Sequence, residues 1–180
     1  MDTLERRSTS ELRATPQGRL EGYAAVFGVS SVDLGGFREV VRSGAFSRSL
    51  KSDANIRALY DHDGRSVLGR VGAGTLRLAE DTRGLHFEID LPPTSVARDL
   101  AVLVDRGDVS GASFAFRVPA GGDEWRSTES GILRELIDVD LHEITVTADP
   151  AYPDTTVAKR RMPAPRYRLA LAMRYLETCR

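Results

Sequence analysis

The sequence predicts a β-rich α+β domain in which a closed sheet or barrel carries helices on its outside. Short runs of alternating apolar and polar residues cover much of the chain, with glycine, aspartate and proline between them. Only two internal segments space their apolar residues as a helix does. A chain of 180 residues, 41% of them hydrophobic, is long enough for one core and short for two.

Seven alternating runs are predicted to be strands, because their side chains repeat with a period of two. They cover residues 20–28, 37–41, 55–62, 74–80, 84–91, 110–118 and 132–148. The segment EDTRG at residues 80–84 is predicted to join two of them as a hairpin.

Two helices are predicted. A short one covers residues 44–51, with Ser43 as its cap. A longer one begins after Thr94 or Ser95 and ends at Gly107. Its apolar residues recur at helical spacing, at Val96, Leu100, Leu103 and Val104.

Composition and charge exclude several classes of function. The net charge of −1 provides no basic field for nucleic acid, and no apolar stretch approaches the roughly 20 residues of a membrane span. We therefore expect a soluble, cytosolic protein. Cys179 is the single cysteine, and His62, His86 and His142 lack metal-ligand spacing, so we expect no disulfide, metal or cofactor.

The C-terminal segment differs in charge from the rest of the chain. Residues 159–180 hold seven Lys or Arg and one Glu, a net charge of +6 against −7 for residues 1–158. Leu169, Met173 and Leu176 would share one face of an amphipathic helix. We therefore divide the chain into a domain of residues 1–158 and a basic C-terminal arm or docked helix at 159–180.

Ser113 is a candidate nucleophile. Strand alternation places Phe114 on one face, which we expect to pack inward with Phe116, and Ser113 on the other. Ser113 has only glycine and alanine beside it on its own face, which would leave room for an extended peptide. Ser110 shares the apolar face and is the weaker candidate. A serine that merely permits close sheet packing would give the same pattern.

A serine needs a base, and imidazole suits that role near neutral pH. His86 alternates with charged residues and is expected to face solvent. His62 would share a face with Ala58 and Tyr60 at a strand end, where sites are often assembled. His142 also lies in a predicted strand.

The third group that would orient the base has several candidates. Glu143 would share an otherwise apolar face with Val139 and Leu141, where a carboxylate needs a partner. His142 is its rival. Asp61 and Asp63 flank His62 but would point to the opposite face of a regular strand.

Several motifs, in this order, resemble those of the prohead maturation serine proteases of tailed bacteriophages, and more distantly those of the herpesvirus assemblin proteases. The segments GYAAVFG and EVVRSGAFSRSL resemble the opening strands and the short helix of the phage family. They are followed by YDHD, VLGR, SGASFAF and LHEITVTADPAYPDT, which resemble its later motifs. The resemblance covers about residues 20–157.

By position, the resemblance makes Ser113 the nucleophile and His62 the general base. Assemblin-like enzymes use a second histidine as the third member, whereas the phage family carries a glutamate in the strand before the PAYP turn. Both types occur here, as His142 and Glu143, and we assign Glu143. The resemblance also implies an assemblin-like β-barrel surrounded by helices.

The implied function is that of a serine endopeptidase inside an immature capsid, in the cytoplasm of a bacterial host. It would remove the scaffold segment of the major capsid protein, contact other capsid proteins, and digest itself, without binding nucleic acid or membrane. A phage, a prophage or a phage-like particle such as a gene transfer agent would fit. The alternative is a non-catalytic structural phage protein of related β-barrel fold, such as a tail-tube protein; the joint presence of His62 and Ser113 argues against it.

Removal of residues 159–180 is expected to leave the fold intact, because the motifs end near Thr155, and Pro163 and Pro165 interrupt regular structure before the last helix. A chain that ends at Ala158 should keep its melting temperature and its cleavage of a capsid peptide, yet be missing from purified procapsids. A melting temperature many degrees lower would show that the arm packs on the domain. Normal incorporation would contradict a targeting role.

Overall fold

Twelve strands and two α-helices form within residues 4–9, 11–15, 18–52 and 55–148, which the computed structural model describes. The strands are β1 Glu5–Thr9, β2 Glu11–Thr15, β3 Arg19–Val26, β4 Phe37–Val41, β5 Arg57–Tyr60, β6 Asp63–Arg70, β7 Leu76–Glu80, β8 Gly84–Asp90, β9 Gly111–Arg117, β10 Asp123–Thr128, β11 Gly131–Leu136 and β12 Asp140–Thr147. The helices are α1 Ser47–Lys51 and α2 Ser95–Asp105, and Val71–Ala73 forms a 3₁₀ turn.

The described strands form three sheets. The first has the order β1-β9-β12-β5-β6, the second β2-β3-β8-β7 and the third β10-β11-β4. Most neighbours are antiparallel, but β5 pairs with β12, and β4 with β11, in parallel. The β-rich architecture with few helices agrees with the prediction. The closed barrel is not found among these residues, because β1 and β6, at the edges of the first sheet, do not pair with each other.

The core lies between the first and second sheets, where β3 packs across β9. Phe114 and Phe116 are almost fully buried, as predicted, and their rings stack with centroids 5.0 Å apart. Burial of one such ring contributes about 1.5–3 kcal/mol. The second sheet contributes further buried apolar residues, among them Leu20, Leu76, Leu85, Phe87 and Ile89. The inward face of β9 is thus fixed by packing.

Each predicted strand corresponds to an observed one, but the run 132–148 splits into β11 and β12. Strands β1, β2, β6 and β10 were not predicted from the sequence. Strands β1 and β10 are rich in charged and hydroxyl residues and lack an apolar alternation. Strand β2 alternates, but its five residues hold only Leu12 and Ala14 as apolar residues, and β6 begins with Asp-Gly, which is typical of a turn.

The longer helix is capped as predicted: Thr94 Oγ1 accepts a hydrogen bond from the Ala97 amide at 3.3 Å, and Gly107 follows with φ of +80°. The Ser43 cap is wrong. Helix α1 begins at Ser47, and the Glu80 carboxylate of β7 accepts a hydrogen bond from the Phe46 amide at 3.0 Å. A distant carboxylate therefore serves as the cap.

Arg134 lies at the centre of a buried charge cluster. It donates hydrogen bonds to Glu5 at 2.8 Å, to Glu39 at 3.0 Å and to Asp123 at 2.8 Å. Arg7 also donates to Glu39, at 2.7 Å. Because a buried charge without a partner is strongly destabilising, these groups depend on one another. The cluster ties β1 to the third sheet.

No helix of the described residues is long and apolar enough to cross a membrane. The predicted helix within residues 159–180 and the DPAYPDT segment at 149–155 lie outside the described residues.

Replacement of Arg134 by methionine is expected to lower the free energy of unfolding by about 3–5 kcal/mol, because it leaves buried carboxylates without their cation. Urea denaturation measures the loss. Arg106→Gln is the control, because Arg106 and Asp108 are both exposed and pair at 2.9 Å, an arrangement worth about 1 kcal/mol or less. Equal losses in the two variants would contradict a special role for the buried cluster.

Candidate active site

Ser113 lies on β9, in the interior of the first sheet. It is paired with Ser8 of β1 on one side and with Thr145 of β12 on the other. Its neighbours Ala112 and Phe114 face the core, so its own side chain points to the opposite face of the sheet. Only 1% of Ser113 is exposed, and its Oγ has no hydrogen-bond partner among the described residues.

The expectation of an open face around Ser113 is wrong. The unpredicted strand β1 pairs with β9 and makes β9 an interior strand. Ala115, the next residue on that face, is also fully buried. A substrate can reach Ser113 only if the groups that cover it move.

His62 occupies the turn between β5 and β6. Asp61 and His62 have φ of +51° and +57°, a conformation that costs a non-glycine residue about 1 kcal/mol or more. Two contacts with β12 hold the turn: the Asp61 amide donates to the Val146 carbonyl at 3.0 Å, and Thr147 Oγ1 donates to Asp61 Oδ1 at 3.1 Å. His62 therefore does not continue the face of Ala58, as a regular strand would require.

The imidazole of His62 contacts Glu143 of β12. The distance from Nδ1 to Glu143 Oε1 is 2.9 Å, and the glutamate side chain is 8% exposed. In the sheet, Glu143 is paired with Ala115, two residues along β9 from Ser113. Glu143 and Ser113 therefore lie on the same face, and the structure brings the predicted base and the predicted third residue together.

A bulge at His142 explains why the predicted face of Glu143 is wrong. Leu141 is paired with Phe116 and faces the core, whereas Glu143 is paired with Ala115 and faces the other side. The rival candidate His142 makes no hydrogen bond to His62, and its Nε2 is buried without a partner among the described residues. Burial lowers the pKa of His142 below its ordinary value.

The charge state of Glu143 decides which nitrogen of His62 carries a proton. The hydrogen bond from His62 holds the pKa of Glu143 below its ordinary value, although burial opposes this shift. An ionised carboxylate only accepts hydrogen bonds, so Nδ1 must carry the proton. In neutral imidazole, Nε2 then has a free lone pair with which to accept a proton.

Thr145 is a further neighbour of this site, which was not predicted from the sequence. Its Oγ1 lies 3.2 Å from His62 Nδ1, and it is paired directly with Ser113. A signal was present, because residues two apart on a strand share a face, which places Thr145 beside Glu143. Thr145 thus connects the histidine contact with the serine strand.

The remaining candidates lie elsewhere. Asp63 accepts hydrogen bonds from the Arg65 amide at 2.9 Å and from Ser66 Oγ at 3.2 Å. His86 belongs to the second sheet and packs edge-on against Tyr23, with ring centroids 5.2 Å apart. Neither residue makes a hydrogen bond to His62 in the described part of the chain.

A serine, an imidazole and a carboxylate on one face of a sheet are the side-chain set of the serine hydrolases. The family model of the caudovirus prohead serine protease matches residues 3–166, and the chain belongs to this family.

The fold is similar to that of a solved phage protein. The structure of the bacteriophage T4 capsid assembly protease, gp21, has a TM-score of 0.54 and 9% sequence identity to this chain. The similarity covers 81% of this chain and 96% of the T4 chain. Comparison with curated protein sequences finds no match.

Replacement of Glu143 by glutamine is expected to slow peptide cleavage by about a hundredfold or more, because an amide no longer enforces the proton on Nδ1. Asp63→Asn is the matched control, since in the described part of the chain the side chain of Asp63 makes its hydrogen bonds to Arg65 and Ser66 of its own turn. Steady-state rates on one peptide substrate compare the two. Equal rates would remove the reason for assigning Glu143.

The lowered pKa of Glu143 predicts that the free energy of unfolding depends on pH, and Glu143→Gln tests this. A lowered carboxyl pKa stabilises the folded state above the ordinary value of 4.5, and this stabilisation is lost as pH falls through the lowered pKa. The wild-type protein should exceed Glu143→Gln in free energy of unfolding at pH 7, and the difference should shrink below pH 4.5. A difference that does not depend on pH would contradict the ionised state of Glu143.

Proposed function

We propose that the chain is a serine endopeptidase that cleaves the major capsid protein and its scaffold segment, and then itself, during particle maturation. The particle is a phage or a phage-like particle such as a gene transfer agent, and the enzyme acts inside the procapsid in the bacterial cytoplasm. Membership of the prohead protease family supports this, as does the similarity to the T4 capsid assembly protease. The contact of His62 with Glu143 beside the strand of Ser113 carries the proposal.

In the first half of the reaction, Ser113 Oγ attacks the carbonyl carbon of the scissile peptide bond, and His62 Nε2 takes the hydroxyl proton. Glu143 accepts the Nδ1 hydrogen bond throughout and stabilises the imidazolium that forms. The carbon–nitrogen bond then breaks, and His62 returns the proton to the leaving amine. An acyl-enzyme on Ser113 remains.

In the second half, water takes the place of the amine. His62 Nε2 removes a proton from water as its oxygen attacks the acyl carbon, and the bond to Ser113 Oγ breaks. The proton passes from His62 to Ser113, and the carboxylate product leaves. The reaction consumes a protein chain and water, and no cofactor enters the cycle.

Burial of Ser113 restricts when this reaction can begin. Since only 1% of the residue is exposed, the resting site does not admit a peptide. Substrate binding must displace side chains above β9 before attack. Such a requirement suits an enzyme that is packaged together with a high concentration of its substrate.

The division of the chain is part of the same proposal. Residues 1–158 form the protease domain, and the basic segment at 159–180 brings the enzyme into the assembling shell through acidic capsid or scaffold partners.

Coexpression of the full chain with its cognate major capsid protein tests the function. The wild-type chain should shorten the capsid protein, and Ser113→Ala should leave it at full length, with a rate loss of about a thousandfold or more. Mass spectrometry of the capsid protein locates the cut.

Ser110→Ala is the matched control, because Ser110 is an exposed serine just before β9. It should cleave like the wild-type chain. Cleavage by Ser113→Ala at the wild-type rate would refute the assignment of the nucleophile, and an intact capsid protein with the wild-type chain would count against a capsid substrate.

A further inference from the structure

The sheet face of Ser113 carries arginines that the proposed reaction does not use. Arg6 of β1 is paired with Ala115, Ala115 with Glu143, and Glu143 with Arg57 of β5. Directly paired residues lie on the same face, so Arg6 and Arg57 flank the glutamate from opposite sides. Arg117 lies two residues beyond Ala115 on β9 and so faces the same way. We call Arg6, Arg57 and Arg117 the arginine face.

The carboxylates near the arginine face are occupied elsewhere. Glu143 accepts the hydrogen bond of His62 and lies 3.8 Å from Arg57, a long contact for an ion pair. Asp140, which is paired with Arg117, binds Arg48 at 2.7 Å instead. Within the described residues, Arg6 and Arg117 are exposed and form no ion pair. The face therefore has an excess of positive charge.

We propose that the arginine face binds an acidic segment of the substrate chain. The inference rests on the proposed function and adds the chemistry of the substrate. Along a strand, Ala115 lies about 7 Å and Arg117 about 13 Å from Ser113, because each residue rises about 3.3 Å. An extended peptide with its scissile bond at Ser113 would place acidic side chains two to four residues away against these arginines.

Charge decides between the candidate occupants. The chain's own segment at residues 159–180 carries +6 and would be repelled by the arginine face. A substrate peptide must in any case lie across this face to reach Ser113, and acidic side chains complement it. A nucleic acid phosphate would also complement it in charge, so the test must separate the two.

Binding to the full-length Ser113→Ala chain tests the proposal without requiring cleavage. The probe is a fluorescein-labelled peptide of alternating glutamate and serine, compared with the same peptide in which glutamine replaces glutamate. Fluorescence anisotropy should show tighter binding of the glutamate peptide, and added salt should weaken it. Equal binding of the two peptides would overturn the proposal.

Substitutions then locate the bound peptide. In the Ser113→Ala background, Arg6→Gln and Arg117→Gln should each weaken binding of the glutamate peptide about two- to fivefold. Arg38→Gln is the control, because Arg38 is an exposed arginine on β4 of the third sheet and should change nothing. The same loss in all three variants, or tighter binding of a single-stranded oligonucleotide than of the glutamate peptide, would refute a substrate site.

Cleavage of a pooled peptide library by the wild-type chain gives a second readout. Cut sites should be enriched in Asp and Glu two to four residues from the scissile bond, on one side, and Arg6→Gln should reduce the enrichment. Cut sites without such enrichment would overturn the proposal. Binding of the glutamate peptide without any cleavage would support the arginine face and would count instead against the proposed protease activity.

Discussion

The hydrogen bond between His62 and Glu143 is the interaction on which the candidate site depends. It joins residues 81 positions apart and requires three features at once. The parallel pairing of β5 with β12 brings the two segments together, the left-handed turn at Asp61 and His62 lifts the imidazole over β12, and the bulge at His142 turns Glu143 away from the core. Without the pairing the two segments would not be neighbours, and without the bulge Glu143 would face the core.

The two faces of the first sheet differ in what they contact. One face packs Phe114 and Phe116 into the core, and the other holds the serine, the imidazole and the carboxylate. Strand β1 closes one side of this arrangement, because it is paired with β9 and is held to the third sheet by the charge cluster around Arg134. Stability of a remote buried cluster is therefore coupled to the position of the strand that carries Ser113.

The catalytic roles of Ser113, His62 and Glu143 remain predictions, but the sequence predicted most of the strands and both helices, because alternation and helical spacing are local properties. It correctly placed Phe114 and Phe116 inward and selected His62 and Glu143 as neighbours. It failed where long-range contacts override local pattern. The bulge at His142 depends on the pairing of β12 with β9, and the cap of α1 comes from Glu80 on strand β7. Segment β1 forms a strand because it pairs with β9, although its own sequence is mostly charged. The burial of Ser113 was not predicted because β1, which makes β9 an interior strand, was not predicted.

The parallel pairing of β5 with β12 also governs the order of events during synthesis. Residues 57–60 leave the ribosome long before residues 143–146, and β9 lies between them in the sequence. Contacts of such high sequence separation form late, since the chain must first close a long loop. A nascent chain therefore contains the residues of β9 and of the histidine turn before it contains Glu143, and the turn gains its contacts with Val146 and Thr147 only when β12 has been made. The imidazole gains its partner only when β12 has been translated, so the contact on which the candidate site depends is among the last to form.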